Sequence, residues 1–286
     1  MYLSLAGIYA IFDTRWCFLD EAFMDRPRGN VFCNVSNKDN IVFGVGRQGL
    51  AVGEIEWCLA TVSHYAMDAN IFRRGGVTAS PLYIYDNGFL HGIERRPNLN
   101  MEIIRDLEKH LKSRFFPENA EGDGFTPIDI VDYVLAVLYS HKFREQYKDE
   151  LKINYPQVPY PTDLKYFRIM VNLGKELRNI MTMDTPISTA KYSCSQGSNT
   201  IDRYKLQNNK IYINKSQYFY STDDSISMDS LWEYTIGGNQ PLQKWLKDRK
   251  AMTLDDQNTN HYLSIIAGVE RIIEIMEEID KVIILD

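Results

Sequence analysis

Apolar positions change their period along this chain, and each change marks a different kind of element. In the first hundred residues, short apolar runs such as Ile41-Val42-Phe43 and Leu82-Tyr83-Ile84-Tyr85 are broken by glycine and asparagine, the second run ending at Asp86-Asn87-Gly88. They predict strands joined by turns. After Arg95-Arg96-Pro97-Asn98 the spacing becomes helical at Ile103, Ile104, Leu107 and Leu111, with Asn98 or Asn100 as the cap. Thr126-Pro127-Ile128-Asp129 combines a hydroxyl cap, a first-turn proline and an acid at the third helical position. A helix is expected to start there and run through Ile130, Val131, Val134, Leu135 and Leu138 to about Tyr147. Pro156, Pro159 and Pro161 then enforce an extended connector. Thr162 caps a further helix whose buried stripe is Phe167, Met170, Val171, Gly174 and Leu177, Gly174 leaving room for a close neighbour.

Residues 184–230 are rich in Ser, Thr, Asn and Tyr and alternate around Ile211-Tyr212-Ile213, and the same period returns at Trp232, Tyr234 and Ile236. This predicts a second strand-bearing region. Gly237-Gly238 interrupts it, and Pro241 opens a short helix with Leu242, Trp245 and Leu246 on its apolar side. The last helix is the clearest: Tyr262, Ile265, Ile266, Val269, Ile272, Ile273, Met276 and Ile279 recur at spacings of three and four, with Thr253 and Asp256 as a capping-box-like start. The fold class is therefore mixed α+β, with strand-rich N-terminal and late regions around a central helical segment and a long C-terminal amphipathic helix. Three segments are expected, 1–116, 117–183 and 184–286, forming one compact unit. No internal repeat of about 20 to 50 residues argues for a solenoid.

Composition narrows the class. At 286 residues and 44% hydrophobic content, the chain buries a substantial core. No apolar stretch reaches the roughly 18 residues of a membrane span and no basic region precedes an apolar N-terminal segment, so a cytoplasmic location is expected. Cys17, Cys33, Cys58 and Cys194 lack the short paired spacing of a zinc site and read as buried thiols. His64, His91, His110, His141 and His261 stand in no metal-binding arrangement, so surface or packing roles are their default and no metal is expected. Neither a Gly-x-Ser-x-Gly elbow nor a Walker phosphate loop is present. Gly44-Val45-Gly46-Arg47-Gln48-Gly49 matches the dinucleotide fingerprint in letters. That fingerprint needs a helix opening at the glycines, whereas Ile55, Trp57, Leu59 and Thr61 continue at period two, so strand, turn, strand fits better.

The net charge of -6 argues against a polyanionic partner until its distribution is read. Residues 251–286 carry eight acids against two bases, so the remainder is neutral with thirty of each. A neutral body can present a basic groove. The first hundred residues hold Arg15, Arg26, Arg28, Arg47, Arg73, Arg74, Arg95 and Arg96 against a single lysine, Lys38. Guanidinium groups grip phosphate and read guanine edges, although Arg15 and Arg95 have acids nearby with which to pair. A second basic set, Lys244, Lys247, Arg249 and Lys250, lies on the short helix after Gly237-Gly238, either as a phosphate grip or as a solvated face.

Several blocks, in order, resemble the C-terminal specificity region of Type ISP and related single-chain restriction-modification enzymes. They begin with Phe12-Asp13-Thr14-Arg15-Trp16 and Arg26-Pro27-Arg28, and continue with Pro81-Leu82-Tyr83-Ile84-Tyr85 and Arg95-Arg96-Pro97-Asn98-Leu99. Phe125-Thr126-Pro127 through Asp132-Tyr133, Tyr147-Lys148 through Pro159-Tyr160-Pro161, and Leu173-Gly174-Lys175-Glu176-Leu177-Arg178 follow. The most distinctive block runs from Trp232-Glu233-Tyr234-Thr235-Ile236-Gly237-Gly238-Asn239-Gln240-Pro241 to Lys247-Asp248-Arg249, with Asn260-His261-Tyr262 opening the last helix.

The resemblance implies a target-recognition region that reads a short asymmetric site in double-stranded DNA for an adenine-N6 methyltransferase and, usually, a nuclease. No catalytic residue is expected in this chain. S-adenosylmethionine would belong to the methyltransferase domain, since the glycine-rich cofactor loop and the contiguous Asn-Pro-Pro-Tyr motif are absent here; Asn154-Tyr155-Pro156 and Pro159-Tyr160-Pro161 form a connector. The methyltransferase and nuclease domains are expected in cis or as a separate chain, unless the chain is an isolated reader. Residue chemistry makes Arg47, Arg73 and Arg74 the candidates for base edges and Gln240, Lys244 and Lys247 those for phosphates. If the matched blocks are scaffold instead, Arg15, Trp232 and the glycine pair hold the fold, and the loops 64–80 and 190–225 do the reading. Two other readings stay open: a nucleotide-binding enzyme using Gly44 to Gly49, and an isolated protein-interaction module, its acidic last helix docking a partner, or a relic, in either case without DNA binding.

Overall fold

The structure, a computed structural model, describes residues 5–17, 29–47, 56–73, 76–86, 94–119 and 122–285. Along the chain come β1 (Leu5–Ala10), β2 (Asp13–Cys17), α1 (Gly29–Val35), β3 (Val42–Val45), β4 (Ala60–Ser63), β5 (Ala66–Met67), β6 (Thr78–Pro81), β7 (Tyr83–Asp86), β8 (Glu94–Pro97) and α2 (Met101–Leu111). Among the described residues these strands form a sheet of order β2-β1-β5, a sheet of order β4-β3-β6 and the pair β7-β8. Gly44 lies inside β3, paired with Thr61 on one side and Ala79 on the other. Its amide therefore belongs to the middle strand of an antiparallel sheet, whereas a dinucleotide fingerprint follows a strand of a parallel one. The missing side chain has a packing reason, since a Cβ there would stand 2.5 Å from the Met67 sulfur. Gln48 to Ile55 lie outside the described residues.

The period-two pattern expected through Trp57, Leu59 and Thr61 is not what burial shows. Residues 57–63 are all buried, because β4, though the end strand of its sheet with β3 on one edge, is covered by helices of the central segment. That segment comprises α3 (Pro127–Leu138), α4 (His141–Gln146), α5 (Lys148–Ile153) and α6 (Leu164–Thr182). Asn100 caps α2, its side chain accepting from the Glu102 amide at 2.9 Å. Thr126 and Asp129 form the expected capping box of α3. The helix does not continue to Tyr147, however. Ser140 leaves it in an extended conformation, accepts from the Phe143 amide at 3.1 Å and donates to Asp280 at 2.6 Å. A serine that finds partners for its hydroxyl outside the helix ends one helix and caps the next. Asp163, not Thr162, caps α6, accepting from the Tyr166 amide at 2.8 Å.

The late region holds β9 (Tyr192–Cys194), β10 (Lys205–Gln207), β11 (Lys210–Tyr212), β12 (Tyr218–Ser221), α7 (Met228–Glu233), α8 (Pro241–Lys247) and α9 (Asp256–Val282). Trp232 lies in a helix and not in the strand its alternation with Tyr234 and Ile236 predicts. Met228, Leu231 and Trp232 bury one face at helical spacing, and Ser227 caps the turn. Ile236 makes only an isolated bridge to Asn239. Asp255, not Thr253, caps α9, while the Thr253 hydroxyl bonds Thr200 at 2.9 Å. Ile273 is half-buried and Ile275 takes its place in the α9 stripe. Three acids of α9 form ion pairs within the chain: Glu270 pairs with Lys191 at 3.2 Å, and Glu274 and Glu278 bind Arg271 together with Glu176 of α6. None of the four cysteines forms a disulfide, and only Cys58 is buried; Cys33 is exposed and the other two are half-buried, which corrects the expectation of four buried thiols. No helix among the described residues is long and apolar enough to cross a membrane.

The tightest helix packing is α3 against α6. Gly174 faces the α3 backbone, where a Cβ would come within 1.8 Å of the Asp132 carbonyl oxygen, and Arg178 one turn later holds the Asp132 carboxylate at 2.7 and 3.1 Å. Gly174→Ala forces the helices apart against rigid backbone, so it should cost about 3 kcal/mol, the upper part of the overpacking range. Chemical denaturation of the variant against wild type measures it; an unchanged midpoint would mean that the helices separate freely.

Candidate nucleic-acid interface

Three segments distant in sequence meet around the ring of Phe72, which is buried. Gly46, just after β3, lies against that ring, and a Cβ there would stand 3.0 Å from it. Gly237, between α7 and α8, comes closer still, a Cβ being placed at 2.4 Å from the ring. Gly237 and Gly238 both have positive φ, 62° and 72°, a conformation glycine adopts without steric penalty. The Gly237 amide donates to the Cys58 carbonyl at 2.8 Å, its carbonyl accepts from the Arg73 amide at 2.7 Å, and the Asn239 side chain donates to the Ile71 carbonyl at 3.2 Å. Backbone bonds thus fix Arg47, Arg73 and the loop leading to Gln240 around one hub. Arg74 lies outside the described residues.

The two described arginines at this hub are exposed. Arg47 places its guanidinium 5.3 Å from the ring centroid of Tyr155, whose hydroxyl bonds Thr78 at 2.6 Å. Neither Arg47 nor Arg73 has a carboxylate partner among the described residues. Arg95 differs: it is held by Glu118 at 2.7 Å and Asp39 at 3.2 Å over the Tyr83 ring.

The basic set on α8 is divided. Pro241 occupies the first turn, and Gln240 at the cap gives its side-chain amide to Glu233 at 2.8 Å and not to the helix. Lys244 pairs with Asp248 and lies 4.6 Å from the Tyr9 ring centroid, which Arg15 also approaches at 4.1 Å. Arg249 stacks over Trp245 at 4.0 Å and binds Asp13 at 2.8 Å, while Arg15 holds the other side of Asp13 at 2.7 Å. Asp13 is 2% exposed. Burial alone would raise its carboxyl, but hydrogen bonds from Arg249 and Arg15 outweigh that and hold it below the usual carboxylate range. Burial also keeps His261 below its ordinary value, so its neutral ring donates from Nε2 to the Phe12 carbonyl at 2.9 Å. Lys247 is exposed and has no carboxylate partner among the described residues.

Residues 184–230, expected as a second strand-bearing region and, over 190–225, as a possible reading loop, form a sheet whose outer lysines and tyrosines the sequence reading did not single out. β10, β11, β12 and β9 form an antiparallel sheet in that order. Leu206, Ile211 and Phe219 point inward, with Phe219 4.7 Å from the Tyr262 ring of α9, so Lys205, Lys210, Tyr212, Tyr218 and Tyr220 share the outer face. The signal was present at Ile211-Tyr212-Ile213, whose alternation puts Lys210 and Tyr212 opposite the buried isoleucines. Among the described residues no group of three His, Cys, Asp or Glu side chains is arranged to hold a metal.

The Type ISP C-terminal specificity domain model matches residues 6–278. The chain belongs to that family. The family is the non-catalytic specificity module of Type ISP restriction-modification enzymes. Solved structures share the fold. One is LlaBIII, an ATP-dependent Type ISP restriction-modification enzyme bound to DNA, with TM-score 0.70, 17% identity, and coverage of 96% of this chain and 18% of that one. A nuclease-deletion mutant of LlaGI in complex with a DNA substrate mimic has TM-score 0.65 at 17% identity, covering 96% and 24%. The DrdV–DNA complex has TM-score 0.71 at 15% identity, covering 99% and 28%. The chain thus spans under a third of each of these proteins. No curated protein matches the chain significantly.

The specificity domain's ion cluster predicts a pH signature. Because the folded Asp13 carboxyl titrates below its unfolded value, its contribution is complete above the ordinary carboxylate pKa of about 4 and is lost as pH falls through the folded value. Asp13→Asn should cost about 3 kcal/mol at neutral pH, and the gap between variant and wild type should close on acidification. Urea midpoints at a series of pH values check both; a gap independent of pH would show that the charge of Asp13 contributes nothing.

Proposed function

We propose that this chain is a target-recognition module that holds double-stranded DNA and selects the site for an adenine-N6 methyltransferase, carried in the same polypeptide or in a separate chain. S-adenosylmethionine would bind in that methyltransferase and not here. The three segments 1–116, 117–183 and 184–286 act as one recognition unit. The observation that carries the reading is that exposed Arg47 and Arg73, without a carboxylate partner among the described residues, flank the Phe72 hub within a specificity-domain fold. The presence of DNA with LlaBIII, LlaGI and DrdV supports the same partner.

Roles follow from how each cation is committed. Arg47, Arg73 and Arg74 reach base edges, where a bidentate guanidinium discriminates. Lys247 holds phosphate, while Lys244, already paired with Asp248, contributes less, and Gln240 orients the loop through Glu233. The alternative, a last helix that docks a partner, has less support, because α9 buries its apolar stripe and pairs Glu270, Glu274 and Glu278 within the chain.

Selection of bound duplexes from a randomised pool, followed by sequencing, tests the reading. An enriched asymmetric motif is the expected outcome, and enrichment of nothing would overturn it. On that motif, Arg73→Ala should relax preference at one or two base pairs by about 1–3 kcal/mol. Lys247→Ala should instead weaken all sequences alike and reduce the slope of log K against log salt by about 0.9.

A further inference from the structure

We infer that the outer face of the β10-β11-β12-β9 sheet is a second duplex-binding surface, which follows the phosphate backbone. It rests on the DNA-recognition reading above and adds a site distinct from the Phe72 hub. The register aligns two cross-strand rows. Lys205 stands opposite Tyr212, and Tyr212 opposite Tyr218. Gln207 stands opposite Lys210, Lys210 opposite Tyr220, and Tyr220 opposite Ser193. Neighbouring strands lie about 4.8 Å apart, and positions two residues apart on a strand about 7 Å apart. The face is therefore a grid of donors on a rigid support. Asn208 and Asn209, with φ of 53° and 56°, make the two-residue turn that fixes this register, and the Asn209 side chain anchors the turn to Ile226 and Met228.

Chemistry selects the occupant. These rows contain no carboxylate, and neither Lys205 nor Lys210 has a carboxylate partner among the described residues. Lys210 is instead held by a ring, 4.4 Å from the Tyr218 centroid, while Lys205 donates to the neutral Gln207 side-chain oxygen at 2.5 Å and lies 5.8 Å from the Tyr212 centroid. A ring limits the rotamers of a lysine without neutralising it. The tyrosines pack against one another, at 5.1 Å for Tyr212 with Tyr218 and 5.6 Å for Tyr218 with Tyr220, so their orientations are set before binding. Tyrosine, serine and glutamine side chains with lysine are donors suited to phosphate oxygens. A hydrophobic protein partner would find no apolar patch here, since Leu206, Ile211 and Phe219 face the core. A polyanion finds positive charge with nothing to displace but water and counterions.

The test is a fluorescence-anisotropy titration of the full chain with a labelled 30-base-pair mixed-sequence duplex over a range of KCl concentrations. Removing one cation that neutralises a phosphate should reduce the salt slope by about 0.9, so Lys205→Gln with Lys210→Gln should reduce it by about 1.8. The control Lys112→Gln with Lys165→Gln, which removes equal charge from α2's end and from α6, should keep the wild-type slope. Tyr218→Phe, which retains the ring and the packing, should weaken binding several-fold at a constant slope. A double variant with wild-type affinity and slope overturns the proposal while leaving the DNA-recognition reading intact. An equal fall in the control also overturns it. A wild-type chain that binds no duplex removes the underlying reading, and this surface with it.

Discussion

The carboxylate of Asp13, almost wholly withdrawn from water, receives hydrogen bonds from two guanidinium groups separated by most of the chain. An unpaired charge at that depth would be costly, so Arg15 and Arg249 are not optional neighbours. Their pairing fixes the β1-β2 pair against α8, and Asp248 draws Arg15 and Lys244 into the same cluster. His261 adds a bond from α9 to the Phe12 carbonyl. The first strands, the short helix and the last helix are therefore tied at one point. Phe12, Asp13, Arg15, Asp248, Arg249 and His261 are the residues that meet there, so they hold the fold together at this point.

From that anchor, α8 and the turn before it can lie only one way. Gly237 presses on Phe72 so closely that any side chain would enter the ring, and its backbone exchanges bonds with Cys58 and Arg73. The turn, the end of β3 and the loop at residues 71–73 are thus held against one another. An arginine carried on such a support has its backbone already placed, so only its side chain must be ordered to reach a base edge.

Much of this was legible in the sequence because single residues carry unambiguous local physics. Thr126-Pro127 with Asp129 starts a helix, Gly174 in an apolar stripe marks a close helix approach, and Pro241 opens α8. What escaped depends on partners far along the chain. Ser140 ends α3 because Asp280 is there to take its hydroxyl, and no window around residue 140 contains Asp280. Trp232 is instead a local miss: Met228 and Leu231, within one turn, share its buried face, and that helical spacing defeats the alternation with Tyr234 and Ile236. At the candidate site the residue types were visible but their commitments were not. Lys244 and Lys247 look alike in sequence, and only the fold shows that one of them faces Asp248.

Commitment of charge resolves the apparent conflict between an acidic chain and a polyanionic partner. The acids of residues 251–286, which supply the whole excess, are in part consumed by Lys191 and Arg271, and the carboxylates near α8 by Arg15, Lys244 and Arg249. Where position matters, the fold sets a cation against a carboxylate, and the cation's field is largely cancelled. Arg47, Lys205 and Lys210 are set against tyrosine rings instead. A ring's quadrupole holds the cation by attraction yet leaves its full charge available to an approaching phosphate. The local field that a duplex would meet is thus governed by which cations lack a carboxylate, a property of the folded chain to which net charge is a poor guide.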